Sequence, residues 1–109
     1  MSEQKKANET EKVYGYARIS RPQQSIDRQI RNMKIFDPDI IVVQEIFTGT
    51  KVSRPEWSKL HTRVKEGDTI VFDSVSRMSR TADEGVELYF ELFEKGIRLI
   101  FLKERYIDT

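Results

Sequence analysis

A chain of 109 residues, 38% hydrophobic and 34% charged, has room for one packed core and not for two. With 19 basic against 18 acidic residues, its net charge of +1 offers no whole-molecule attraction to nucleic acid, so such a partner has to be read from the charge distribution. The lack of cysteine excludes a thiol nucleophile, a disulfide framework and Cys-containing zinc sites; a lone histidine, His61, excludes a His-pair metal site; and the apolar runs are too short for a membrane span, all of which fits a cytoplasmic protein.

Residues 1 to 12 are polar and read as a disordered tail ahead of one domain, 13 to 109. Val13, Tyr14, Tyr16, Ala17 and Ile19 predict a first strand over 13 to 19. Pro22 stops it and opens a helix running to about Lys34, with Ile26, Ile30 and Met33 as its buried stripe. Ser20 falls where strand gives way to helix, and Arg18, two residues earlier, points the same way on a strand. A hydroxyl and a guanidinium aimed at one spot suit a nucleophile and its phosphate clamp. Ser20-Arg21-Pro22-Gln23 also fits a plain capping box. The outward arginines of this helix fit either a solvated face or contact with a DNA backbone.

Asp37-Pro38-Asp39 predicts a turn, and Ile40 to Val43, extending towards Phe47, a second strand. A loop over Thr48 to Val52 leads to Ser53-Arg54-Pro55-Glu56, a second capping box. The helix that it opens buries Trp57, Leu60 and Val64, carries His61 beside that stripe as a surface or packing residue, and ends at Gly67. A third strand starts at Thr69 and continues towards Val75. After Ser74-Val75-Ser76-Arg77-Met78-Ser79-Arg80 comes a third helix, capped by Thr81 with Glu84, whose Val86, Leu88, Tyr89, Leu92 and Phe93 face a core. Gly85 inside it implies close packing or a tolerated cost. Lys95-Gly96 ends it, a fourth strand covers Ile97 to Leu102, and the polar tail to Thr109 carries no signal.

The order β-α-β-α-β-α-β predicts an α/β fold, a three-layer α-β-α arrangement around a mainly parallel sheet of at least four strands, with flavodoxin-like topology. Basic residues concentrate in 18 to 34 (Arg18, Arg21, Arg28, Arg31, Lys34) and at Arg77 and Arg80, whereas 83 to 94 holds only acids among its charged residues, so a positive face and an acidic side are expected. The connections after the first three strands carry Arg18 with Ser20, Lys51 with Arg54, and Arg77 with Arg80, all opening at one sheet edge. Several guanidiniums around one hydroxyl suit phosphoryl transfer, where catalysis is positioning plus charge neutralisation. No phosphate-binding glycine loop or Gly-x-Ser-x-Gly elbow competes with that reading.

Tyr16-x-Arg18-x-Ser20 followed by Gln24, Ser25, Asp27 and Gln29, with Arg54 between, and then Ser76-Arg77-Met78-Ser79-Arg80, resembles the catalytic domain of the serine recombinases (resolvases and invertases) over about residues 13 to 107. The resemblance implies that Ser20 attacks a DNA phosphodiester and becomes joined to the 5′ phosphate. It implies that Arg18, Arg77 and Arg80 hold the scissile phosphate, joined by Arg54 and more weakly by Lys51. Gln24 and Gln29 would position Ser20 or support the arginines. The chemistry that it implies needs no metal or other cofactor, and its partners would be DNA and further copies, dimers assembling to tetramers. Ser76 stands where the family commonly has aspartate, and Asp73 would face the other way on a continuing strand. The family's dimerisation helix and DNA-binding region have no counterpart before Thr109, which predicts weak, non-specific DNA binding by these residues alone. The competing expectations are a non-catalytic DNA-associated or dimerising domain of this fold, and a module binding a small phosphate ligand.

Overall fold

A computed structural model describes residues 11–19, 26–46, 54–79 and 81–109. Its sheet has four parallel strands, β1 (Val13–Ile19), β2 (Ile41–Ile46), β3 (Thr69–Phe72) and β4 (Arg98–Phe101), in the order β2-β1-β3-β4. The crossovers carry α1 (Asp27–Phe36), α2 (Pro55–Arg63), the one-turn α3 (Val75–Met78) and α4 (Ala82–Glu94), and a 3-10 turn covers Arg105–Ile107. Winding reverses at β1, with β2 on one side and β3 on the other. That is the switch point at which open parallel sheets bind ligands beyond their strand ends.

Side-chain alternation along β1 divides the core. Tyr14 and Tyr16 join Trp57 and Leu60 of α2, Phe72, Leu92 of α4 and Phe101. Ala17 on the opposite face joins Met33 of α1, Ile40, Val71 and Ile100. Tyr16 meets Trp57 edge-on at 5.1 Å, and Phe72 stacks on Phe101 at 5.3 Å. Gly15 is what lets α1 lie close: a Cβ there would stand 2.7 Å from Met33 Sδ and 2.9 Å from Ile40 Cδ1.

Several boundaries move from their expected places. Lys12 is tied down: its N–H donates to Asp68 and its carbonyl accepts from Thr69. The first helix is described over Asp27–Phe36, with Ile26 as N-cap, past its expected end near Lys34; its expected start near Pro22 lies outside the described residues. α2 ends at Arg63, and Gly67 serves the later turn with φ 96°, bonded to the carbonyl of Gly96. β3 stops at Phe72; Asp73 and Ser74 bend the chain, and Val75, expected at the end of the strand, opens α3 instead. The α4 cap holds, with Glu84 N–H donating to Thr81 Oγ1 at 3.2 Å. Its expected inward stripe does not: Leu92 is buried and Leu88 and Tyr89 half-buried, but Val86 and Phe93 are 56% and 55% exposed, because one side of α4 has no described neighbour.

The tail is also structured. Thr109 Oγ1 and Asp108 Oδ1 accept from Leu99 and Phe101 N–H, and Tyr89 Oη donates to the carbonyl of Ile107. His61 is half-buried against Trp57 and bonds Glu91 at 2.9 Å. Glu91 is held below the usual carboxylate range, first by its bond to Lys95 and then by His61.

Candidate active site

The site forms where β1 outruns β3. Pairing of β1 with β2 continues to Ile19, but pairing with β3 stops at Tyr16 opposite Phe72. Main-chain groups beyond that point need other partners. Gln29, buried on α1, supplies them for Arg18: its Oε1 accepts from Arg18 N–H at 3.0 Å and its Nε2 donates to Arg18 O at 2.8 Å.

The side chain of Arg18 is buried, and its Nη2 donates to the carbonyl of Ser76 in α3 at 2.8 Å. Arg54, the N-cap residue of α2, lies over the Trp57 and Tyr16 rings at 5.6 and 5.9 Å and donates from Nη1 to the carbonyl of Met78 at 2.9 Å. A four-residue helix leaves its last carbonyls without internal partners. Two of those of α3 are taken by guanidiniums from two other elements, on either side of Arg77 in sequence. Arg77 itself is half-buried, and its Nε is buried with no hydrogen-bond partner among the described residues. Arg18, Arg54, Arg77 and Gln29 are therefore brought together. Ser20, Gln24, Lys51 and Arg80, with Ser25 and Ser53, lie outside the described residues.

Ser76 carries no carboxylate function. Its hydroxyl pairs with Ser74 Oγ at 2.8 Å, and its carbonyl receives Arg18. Asp73 is buried and turned away, accepting from Asn32 of α1 at 3.0 Å and pairing with Lys103 at 3.3 Å.

Glu45 is a site residue that sequence reasoning passed over. It is 3% exposed on β2, and its carboxylate accepts from Tyr16 Oη at 3.0 Å, Trp57 N–H at 2.9 Å and Glu56 N–H at 3.3 Å. The start of α2 is thus capped by a distant carboxylate, and Arg54 makes no side-chain cap bond. Burial, and then Glu45, raises the ionisation of the Tyr16 phenol far above its ordinary value, outweighing the lowering effect of Arg54 and Arg18. The available signal was an acid inside a β-favouring run shortly before a Pro-initiated helix. Glu104 was missed as well: its carboxylate accepts from Val75 N–H, at the start of α3, at 2.9 Å.

Arg28, Arg31 and Lys34 lie exposed along α1. Among the described residues, no group of three or more His, Cys, Asp or Glu is placed to hold a metal, and no helix is long and apolar enough to cross a membrane.

The family model described as "Resolvase, N terminal domain" matches residues 13–109. A resolvase of Clostridium perfringens is 33% identical over 98 residues, which cover 89% of this chain and 52% of that protein. The transposon Tn501 resolvase of Pseudomonas aeruginosa is 33% identical over 99 residues, covering 87% and 49%. The chain thus spans about half the length of the curated relatives it matches. A crystal structure of a resolvase family site-specific recombinase from Streptococcus pneumoniae shares the fold, with a TM-score of 0.69, 23% identity, and coverage of 91% of this chain and 76% of that one.

Proposed function

Because the chain belongs to the resolvase N-terminal domain family, we propose that it is the catalytic domain of a site-specific DNA recombinase working through a 5′-phosphoserine intermediate. The observation that carries this reading is the convergence of Arg18 and Arg54 on the carbonyls of Ser76 and Met78, either side of Arg77. In this reading the guanidiniums of Arg18, Arg54 and Arg77, from β1, α2 and α3, serve the hydroxyl of Ser20, which follows β1 in the sequence and lies outside the described residues.

In this reading Ser20 Oγ attacks the scissile phosphorus as the bond to the 3′ oxygen breaks. The serine loses its proton, and the departing 3′ oxygen gains one. Arg18, Arg54, Arg77 and Arg80, with Lys51, neutralise the non-bridging oxygens, where charge is concentrated in the transition state. Gln24 and Gln29 hold the surrounding chain. The phosphodiester is exchanged for a phosphoserine ester, so rejoining by a 3′ hydroxyl needs no nucleotide hydrolysis. No metal or other cofactor takes part in the proposed steps. The protein acts in the cytoplasm.

Assembly is part of the proposal: a homodimer that forms a tetramer on DNA. Val86, Phe90 and Phe93 are more than half exposed on α4, and an apolar trough of about 670 Å³ runs between α4, Met78 and Ile107. Such surface suits a second copy of the chain.

The test uses full-length protein on supercoiled DNA carrying candidate sites, stopped in denaturant. Protein joined to 5′ ends through the peptide containing Ser20, and absent with Ser20→Ala, is the expected result. Specific DNA binding with no covalent product would instead support a non-catalytic domain of this fold, the reading that the Ser76–Ser74 hydroxyl pair favours.

A further inference from the structure

α3 carries Arg77 but is only four residues long. One helical turn cannot hold itself together, because nucleation costs more than its few hydrogen bonds return. Its position is therefore set from outside. At its C-terminal end, the carbonyls of Ser76 and Met78 receive Arg18 and Arg54. At its N-terminal end, Ser74 is the residue type expected to cap, yet it makes no side-chain cap bond and pairs with Ser76 Oγ instead. The cap comes from Glu104, whose Oε1 accepts from Val75 N–H at 2.9 Å.

Glu104 rides on a rigid support. Beyond the last β3–β4 pair, Leu102 N–H donates to Phe72 O at 2.9 Å and Lys103 N–H to Asp73 O at 3.0 Å, so the ladder continues past both strands. The Lys103–Asp73 ion pair ties the same two segments. Glu104 N–H donates to Phe101 O, and its own carbonyl accepts from Ile107 N–H. Among the described residues, it is the one side chain that bonds a main-chain N–H of α3.

We infer that Glu104 is a positioning residue for strand cleavage: its carboxylate fixes where α3 begins and so where Arg77 points. This rests on the proposed reading of Arg77 as a phosphate ligand. The effect is transmitted through the Val75 N–H, which gives it a distinctive signature. Val75→Pro deletes that N–H at the helix position that best tolerates proline, without touching Glu104.

The test has two arms. In this chain, the Arg77 Nε–H resonance and the amide exchange of α3 are followed by NMR. Glu104→Ala and Val75→Pro should each shift that resonance and speed exchange at Arg77 and Met78 about tenfold, while β1 and β3 amides keep their protection. In the full-length protein, Glu104→Ala should lower the single-turnover rate of covalent adduct formation about five- to tenfold with DNA affinity unchanged, and should have no further effect on the Val75→Pro background. An unchanged Arg77 resonance in both single variants overturns the inference, as does an equal loss of rate on either background. If Glu104→Ala does not fold, the Arg77 signal of Val75→Pro decides alone. A parent that forms no adduct defeats the cleavage reading instead, and the NMR arm still decides whether Glu104 places α3.

Discussion

Glu45 on β2 accepts the backbone N–H of Trp57 at 2.9 Å, so a strand residue buried to 3% exposure caps a helix that begins ten positions further on. The same carboxylate accepts from Tyr16 Oη. Strand β2, strand β1 and helix α2 are thus joined at one group, and Arg54 sits on that joint. Glu45→Ala is expected to cost about 3 kcal/mol, because it leaves a buried phenol and two helix N–H groups short of an acceptor. Glu45→Gln keeps an acceptor oxygen and should cost about half as much. Urea unfolding of the three proteins measures both; equal stability of Glu45→Ala and parent would refute the cap.

Arg54 and Arg77 should separate cleanly in stability. Arg54 lies over two aromatic rings and bonds a carbonyl, so Arg54→Ala is expected to lose about 2 kcal/mol. Arg77 has a buried Nε without a hydrogen-bond partner among the described residues, so Arg77→Ala should lie within about 0.5 kcal/mol of the parent. Paired denaturation curves give the comparison, and a larger loss at Arg77 than at Arg54 would contradict this account of the site.

Gly85 lies inside α4 where a Cβ would stand 2.8 Å from Ser79 Oγ, a hydroxyl held by its bond to Thr81 O at 2.7 Å. Gly85→Ala should therefore destabilise the parent despite its better helix propensity. Once Ser79→Ala has removed the hydroxyl, the same change should stabilise by up to about 1 kcal/mol. A double-mutant cycle in urea tests the reversal of sign.

The Tyr16 phenol, raised above its ordinary value of 10.0 by burial and by Glu45, stays neutral in the folded protein at pH values where the unfolded chain ionises it. Its contribution is whole below pH 10 and is lost as pH climbs from there, at up to about 1.4 kcal/mol per pH unit. Tyr16→Phe removes that slope. Unfolding free energies of both proteins across about pH 8 to 11 should differ by a constant amount up to about pH 10 and change relative to one another above it, the parent falling more steeply; parallel curves throughout would count against the assignment.

The order of strands and helices was legible in the residues because burial on both faces writes itself into local pattern. Tyr14 and Tyr16 against Gly15 and Ala17 mark two faces of one strand. Gly96, at φ 81°, marks the end of a helix. The extent of each element was less legible. Thr69 to Val75 reads as one strand, yet Ser74 turns the chain into α3, whose ends are held by Arg18, Arg54 and Glu104 from distant segments. Likewise α4 reads as deeply buried because its apolar residues exceed one helical face, and Val86 and Phe93 are the surplus left outside.

By itself, then, the sequence determined the alternating α/β order, the parallel sheet and the presence of arginines after successive strands, since propensity, periodicity and turn residues act over a few neighbours. The tertiary structure alone decided which carboxylates became internal partners. Glu45 and Glu104 look like surface acids in their own segments. Each is drawn to a helix start from another part of the chain, because exposed N–H groups at a helix end must be satisfied and nearby side chains did not satisfy them. It also decided that Gln29 repairs the edge of β1 where β3 falls short. Such pairings depend on distances in space that no local window contains.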